Sequence, residues 1–186
     1  MKKLVSILLC ACLLALSCAP ALCEVQTVMT PEPPSLQNFT AATLSGEEAT
    51  QALWAQADLT MVNVWATYCT PCLSEMPDLG ALAAEYAEAG EVQIVGIVMD
   101  VVNQDLQIDE AQVELAREIV EKTSAAYTHL LPSLDLILAA LLDISAVPTT
   151  FFVDRDGNRV GETYLGAKDL DTWRQVIADT KAALPE

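Results

Sequence analysis

Thr60-Met-Val-Asn-Val-Trp-Ala66, running through Thr67 and Tyr68 into Cys69-Thr-Pro-Cys72, decides the fold. Its first half is compact, β-rich and almost wholly apolar, the pattern of a strand buried on both faces, and such a strand belongs in the centre of a sheet. Its second half changes period. Pro71 fits the first turn of a helix, where its missing N–H costs no hydrogen bond. Cys72, Met76, Leu79, Leu82 and Tyr86 then recur at helical spacing until Gly90 ends the run. Pro77 falls inside that helix and is expected to kink it, because it removes a backbone donor and crowds the preceding turn. Val92 to Met99 reads as a second apolar strand, so strand, helix and strand make a βαβ unit with a parallel, right-handed crossover.

Reading outward, Asp100 to Gln107 is a loop and Asp109 to Thr123 an acidic helix with Asp109 as its N-cap. Ser133 caps another helix through Leu142. Thr149 to Asp154 and Arg159 to Leu165 form a hairpin turned by Asp156-Gly157, and a last helix runs from Asp169 to Ala183 with Trp173, Val176 or Ile177, and Leu184 inward. Upstream, Ala49, Leu53 and Trp54 predict a short helix from Ser45 or Gly46 to Ala57. Glu24 to Ser35 carries Pro31, Pro33 and Pro34 with no apolar period and reads as an extended tether. Residues 36–186 are expected to be one domain.

Residues 1–23 have a basic start at Lys2-Lys3, an apolar stretch from Leu4 to Leu16 and a small-residue, Pro-broken tail, the layout of an export signal. The apolar run falls short of the roughly 20 residues a permanent span needs. Ala15-Leu-Ser17 before Cys18 has the form of a lipobox with Ala where Leu is usual, while Ala19-Pro-Ala21 and Ala21-Leu-Cys23 offer ordinary cleavage. The sequence leaves both open, a lipid anchor on Cys18 or a released protein, and either way the domain is expected to work outside the cytoplasm, in the cell envelope.

The chain carries 9 Lys and Arg against 26 Asp and Glu, a net charge of −17. Without the signal, 7 basic side chains face 26 acidic ones and the charge is −19. Nucleic-acid binding needs clustered Lys and Arg and is therefore not expected. Cys10, Cys12, Cys18 and Cys23 lie in the signal, which leaves Cys69 and Cys72 as the only cysteines beyond it. That rules out a multi-bridge scaffold, and about 160 residues can bury a core without staples.

Cys69-Thr-Pro-Cys72 sits between a buried strand and a helix N-terminus, where unpaired N–H groups and the helix dipole stabilise a thiolate. Cys69, at the open end, is expected to be exposed and partly ionised; Cys72, one turn in, is shielded and placed to attack a mixed disulfide. The pair can perform dithiol/disulfide exchange. Zinc would need four ligands, and beyond this pair only His129 is on offer, far off in sequence, so no metal is expected. A c-type haem needs His after the second Cys, and Leu73 stands there. A purely structural disulfide would close too small a loop to constrain much of the unfolded chain.

Val62 to Pro77, read with Val147-Pro-Thr-Thr-Phe-Phe-Val-Asp154 and Asp156-Gly157, closely resembles the TlpA/ResA-type thioredoxin-like oxidoreductases of the bacterial envelope. The resemblance spans about Phe39 to Leu184. It implies an α/β thioredoxin fold, a central mixed β-sheet flanked by helices in a single domain, with Cys69 attacking, Cys72 resolving, and Pro148 in a cis peptide facing the disulfide. Val147 would then offer backbone to a substrate chain. Glu75 matches the family's acid near the thiols, able to take or return the Cys72 proton; a solvated first-turn glutamate is the plainer account. Trp65 and Tyr68 flank the site as an apolar lip for a partner, although core packing explains Trp65 equally well. His129 is read as a structural residue near a strand end and not as a catalyst.

The implied reaction is exchange with protein disulfides and thiols, in the reducing direction, as in cytochrome c maturation, with no cofactor and with electrons from a membrane donor of the CcdA/DsbD kind. Two alternatives stay open. One is a thiol peroxidase, for which Thr67 precedes Cys69 but no Arg is evident. The other is a non-enzymatic exported binding module with a structural CxxC. The acidic run of Asp105, Asp109, Glu110, Glu114, Glu118 and Glu121 is either a solvated face or a dock for a basic partner.

Overall fold

A computed structural model describes residues 35–184. The export signal and nearly all of the tether lie outside the described residues. Among the described residues seven strands and four α-helices follow in chain order: β1 (Thr40–Ala42), β2 (Glu48–Thr50), β3 (Leu59–Trp65), α1 (Thr70–Ala87), β4 (Val92–Val98), α2 (Glu110–Lys122), β5 (Thr128–Leu130), α3 (Leu134–Leu136), β6 (Thr149–Asp154), β7 (Arg159–Leu165) and α4 (Leu170–Ala182). β1 and β2 make a small hairpin; the other five strands form one sheet in the order β5-β4-β3-β6-β7. The crossover through α1 joins β3 and β4 in parallel, β5 adds in parallel beyond β4, and β6 and β7 are antiparallel, so the sheet is mixed. This is the thioredoxin fold.

β3 is buried at all seven positions, as its composition demands. Its side chains alternate between two cores. Val62 and Val64 join Val95, Ile97, Phe151 and Val153 on the face covered by Phe39, Trp54 and Leu136. Leu59 and Met61 face the other way with Ile94 and Phe152, under Leu79 and Leu82 of α1 and Trp173 and Ile177 of α4. Trp65 continues that row into a third cluster with Cys72, Met76, Val98, Val113 and Leu131. Asn63 is the one polar residue between Met61 and Trp65 on this face.

α1 continues through Pro77 as one element, and Gly90 takes a positive φ of 67° beyond its end, with its N–H bonded to the Tyr86 carbonyl. Asp109, Ser133 and Asp169 all act as N-caps. The helix that Ser133 opens changes after Leu136 to a π-helix over Ile137–Leu141.

The expected helix from Ser45 or Gly46 to Ala57 is a correction. Glu48–Thr50 pairs with β1, and a 3-10 helix starts only at Gln51, because the Thr50 hydroxyl accepts the Ala52 N–H and fixes the N-terminus there. Ala49, Leu53 and Trp54 are all buried as expected, but from two elements. β5 has no range in the reading of the sequence, which only sets His129 near a strand end, and His129 lies within β5. After β1 the chain follows the β5 edge, with Leu44 N–H on the His129 carbonyl and Leu131 N–H on the Ala42 carbonyl, both 2.8 Å. That edge is thereby covered.

Candidate active site

β3 ends at Trp65, and three residues carry the chain to Cys69, the N-cap of α1. The turn is pinned from β4's far end: both Asp100 oxygens accept the Thr67 N–H at 3.0 Å, and one accepts the Thr67 hydroxyl at 2.6 Å. Cys69 and Cys72 form a disulfide with a Cα–Cα distance of 5.2 Å. The Cys69 Sγ also accepts the Cys72 N–H at 3.2 Å, so the sulfur occupies the capping position at the positive end of the helix.

The exposure expected for Cys69 is corrected in this oxidised form. Cys69 is 5% exposed, because its sulfur is bonded inward to Cys72 and packed in the cluster of Trp65, Met76 and Leu131. Cys72 is fully buried. Trp65 is corrected as well: it forms no lip. Its ring lies in the core and its indole N–H donates to His129 Nδ1 at 3.1 Å. Tyr68 stands in solvent beside the cysteines, 73% exposed, as do Thr70 and Pro71 between them.

Pro148 follows a cis peptide bond and is buried. Val147 packs against the cluster holding Cys69 and Cys72. Among the described residues no hydrogen bond engages the Val147 main-chain N–H or C=O.

Glu75 is 2% exposed, which corrects the reading of a solvated first-turn acid. It lies one turn beyond Cys72 on α1. Its Oε1 accepts Asn63 Nδ2 at 3.0 Å, and its Oε2 accepts the Lys168 N–H and the Trp173 indole N–H, each at 3.1 Å. Burial pushes its carboxyl above the usual range, opposed by the Lys168 N–H, the Trp173 and Asn63 donors and the Lys168 charge. One turn on, Asp78 accepts the Leu170 N–H at 3.1 Å. Two acids of α1 thus hold the segment that leads into α4.

Sequence reasoning missed Asn63, Asp100 and the Lys168 N–H as parts of this site, and gave Trp173 only a core role. The available signal was an Asn inside an apolar strand, since a buried amide needs a polar partner. The described arginines all have partners elsewhere: Arg117 on the Leu44 carbonyl, Arg155 on Asp58, Arg159 over the Phe151 ring and Arg174 on Glu85. No helix among the described residues is long and apolar enough to cross a membrane.

A family model described as the AhpC/TSA family matches residues 35–159. The thiol-disulfide oxidoreductase ResA of Oceanobacillus iheyensis is 31% identical over 139 residues, 72% of this chain and 65% of that protein. The thioredoxin-like protein YneN of Bacillus subtilis is 28% identical over 129 residues, 64% of each chain. The match thus spans slightly under two thirds of either relative. The thiol:disulfide interchange protein DsbE of Pseudomonas fluorescens is 31% identical over 133 residues, 69% of this chain and 66% of that one. Among solved structures, a secreted Mycobacterium tuberculosis disulfide oxidoreductase homologous to Escherichia coli DsbE superposes with a TM-score of 0.59 at 25% identity, covering 80% of this chain and 98% of that one. A thioredoxin-family protein of Chlorobium tepidum reaches 0.63 at 22% identity over 82% and 99%, a likeness of fold.

Proposed function

The chain belongs to the AhpC/TSA family, on its TlpA/ResA-type thioredoxin-like branch, and from that premise we propose that it is an extracytoplasmic thiol-disulfide oxidoreductase working through Cys69 and Cys72. The observation that carries the reading is the disulfide itself, set where the central strand passes into a helix whose N-terminus it caps. There, backbone donors and the dipole favour one thiolate of the reduced pair.

In the reducing direction, the Cys69 thiolate attacks one sulfur of a substrate disulfide, forming a mixed disulfide and releasing the other sulfur as a thiolate that takes a proton from water. Glu75 then accepts the Cys72 proton, the Cys72 thiolate attacks Cys69 Sγ, and the substrate's second sulfur leaves as a thiolate that takes its proton from water, while Glu75 returns its proton to solvent. The substrate gains two electrons and two protons; the protein returns to the disulfide. Reduction of that disulfide by a membrane donor of the CcdA/DsbD kind closes the cycle. The unengaged backbone of Val147, beside cis-Pro148 and packed on the cysteine cluster, suits an extended substrate segment that pairs through main-chain hydrogen bonds. Export by residues 1–23, with or without a lipid on Cys18, places the domain among envelope disulfides, apocytochrome c among them.

The test is the reduction potential of the Cys69/Cys72 pair, measured against thiol redox buffers on purified protein lacking residues 1–23. A value near about −250 mV or lower supports a reductant, and one near about −120 mV makes the protein an oxidant. A pair that never cycles overturns the enzyme reading.

A further inference from the structure

Glu75 is held by three donors, from the central strand, from the last helix and from the segment that leads into that helix. Asn63, on the central strand, takes one carboxylate oxygen; Trp173, on the last helix, takes the other together with the Lys168 N–H. The Glu75, Asn63 and Trp173 side chains are buried. Asn63 Nδ2 is shared with the Thr150 hydroxyl at 3.0 Å, so the amide cannot swing away without breaking a second bond. The Trp173 ring is held edge-on by Tyr164, and the Lys168 ammonium lies 5.5 Å from both ring centres. A core that needed only to fill space would have used apolar side chains here. Instead the carboxylate is met by two rigid, directional donors, one on each oxygen, within one turn of Cys72.

We propose that Asn63 and Trp173 are positioning residues for Glu75, each fixing one carboxylate oxygen, and that the C-terminal helix thereby belongs to the proton-handling machinery of the Cys69/Cys72 pair. The inference rests on the proposed role of Glu75 as the acceptor of the Cys72 proton. A hydrogen bond to the charged form favours it, so losing either donor raises the proton affinity of Glu75. The charged and titratable groups around Glu75 are few. The Lys168 ammonium favours the carboxylate. Tyr127, from the segment before β5, carries a buried phenol held above its ordinary range by burial and by the Glu75 charge. Cys72 and Asp78 lie one turn to either side on α1. None of these replaces the two donors.

The experiment follows the reduction potential of the Cys69/Cys72 pair from pH 5 to pH 9 in the wild type, Glu75→Gln, Trp173→Phe and the double variant. Phe keeps a ring against Tyr164 and lacks only the donor and the second ring of the indole. The inflection that Glu75→Gln removes should move up by about one pH unit in Trp173→Phe, the shift expected for one lost hydrogen bond to a charge. In the double variant Trp173→Phe should change nothing further in the profile. Asn63→Ala carries the same expectation and stands in if Trp173→Phe does not fold. A shift below about 0.3 units, or one that persists without the Glu75 carboxyl, overturns the positioning role while leaving the proposed chemistry intact. A profile that Glu75→Gln leaves unchanged overturns the role of Glu75 itself, and the inference with it.

Discussion

The indole N–H of Trp65, four residues before Cys69, donates to Nδ1 of the buried His129, whose Nε2 lies 2.9 Å from the Ala125 carbonyl. Because Nδ1 accepts, the ring is neutral and carries its proton on Nε2, where it donates to Ala125. A second proton would set two donors against each other. Burial lowers the imidazole to about 4, against a smaller opposing effect of the Ala125 carbonyl. The folded state therefore binds fewer protons than the unfolded chain between pH 6.5 and about 4, and the contribution of His129 is complete above 6.5 and lost as pH falls through that window. The full loss is about 3 kcal/mol. Urea midpoints at pH 7, 5.5 and 4.5 should fall steeply in the wild type and less in His129→Leu, which is weaker at pH 7 because Trp65 loses its acceptor. Glu75 works in the opposite sense, its raised carboxyl favouring the fold at low pH. An equally steep profile in His129→Leu would assign the acid sensitivity to carboxylates instead.

Gly96 and Gly80 are close-approach positions. A Cβ on Gly96 would stand 2.1 Å from His129 Nδ1, and one on Gly80 would stand 2.3 Å from the Ser124 carbonyl oxygen. Alanine normally strengthens a helix by about 1 kcal/mol over glycine, yet backbone cannot retreat as a side-chain tip can. Gly80→Ala is expected to destabilise by about 1–3 kcal/mol, and Gly96→Ala by a similar amount with loss of the Trp65 contact. Denaturant midpoints measure the first; near-ultraviolet circular dichroism reports the second through the indole environment.

Asp100 fixes the turn that presents the cysteines, by accepting from the Thr67 N–H and hydroxyl. Removing the carboxylate orphans a largely buried N–H and hydroxyl. Asp100→Ala should lower stability by about 2 kcal/mol and slow disulfide exchange, whereas Asp100→Asn, which keeps one acceptor, should lose less of both. Equal losses in the two variants would show that charge rather than the hydrogen bonds matters at this position.

What the sequence made legible follows from how local each signal is. β3, α1, β4, α2 and α4 are long and periodic, and the helices start and stop on residues beside them in sequence: Pro71 in the first turn of α1 and Gly90 past its end, Asp109 capping α2 and Asp169 capping α4. β1, β2 and β5 are three residues each. So short a run has no period to read, and these strands exist because partners distant in sequence supply their hydrogen bonds. The same distinction divides the site. Cys69 and Cys72 declare themselves by spacing, but Glu75 draws its environment from Asn63, 12 residues back, and Trp173, 98 residues on. Its burial, like that of Trp65, is a property of the assembled sheet and could not be told from a solvated first turn.

Tyr68 offers the cleanest separation of folding from recognition. It is the large aromatic side chain next to Cys69 that the core does not use, standing 73% exposed beside the disulfide, while Trp65, Met76 and Leu131 on the other side are packed away. Truncating it removes no buried contact, so Tyr68→Ala should leave stability within about 0.5 kcal/mol of the wild type. A protein substrate that approaches Cys69 from this side lies across the ring and buries it, and an aromatic contact of that kind is worth about 1 kcal/mol, or some five-fold in rate. A small disulfide such as oxidised glutathione needs no such surface. The expected result is therefore a split: kcat/KM for reduction of a protein disulfide falls about five-fold in Tyr68→Ala, while the rate with the small disulfide is unchanged. Equal losses on both substrates would mean that Tyr68 acts on the cysteines themselves, and no loss on either would place the docking surface on another side of the disulfide.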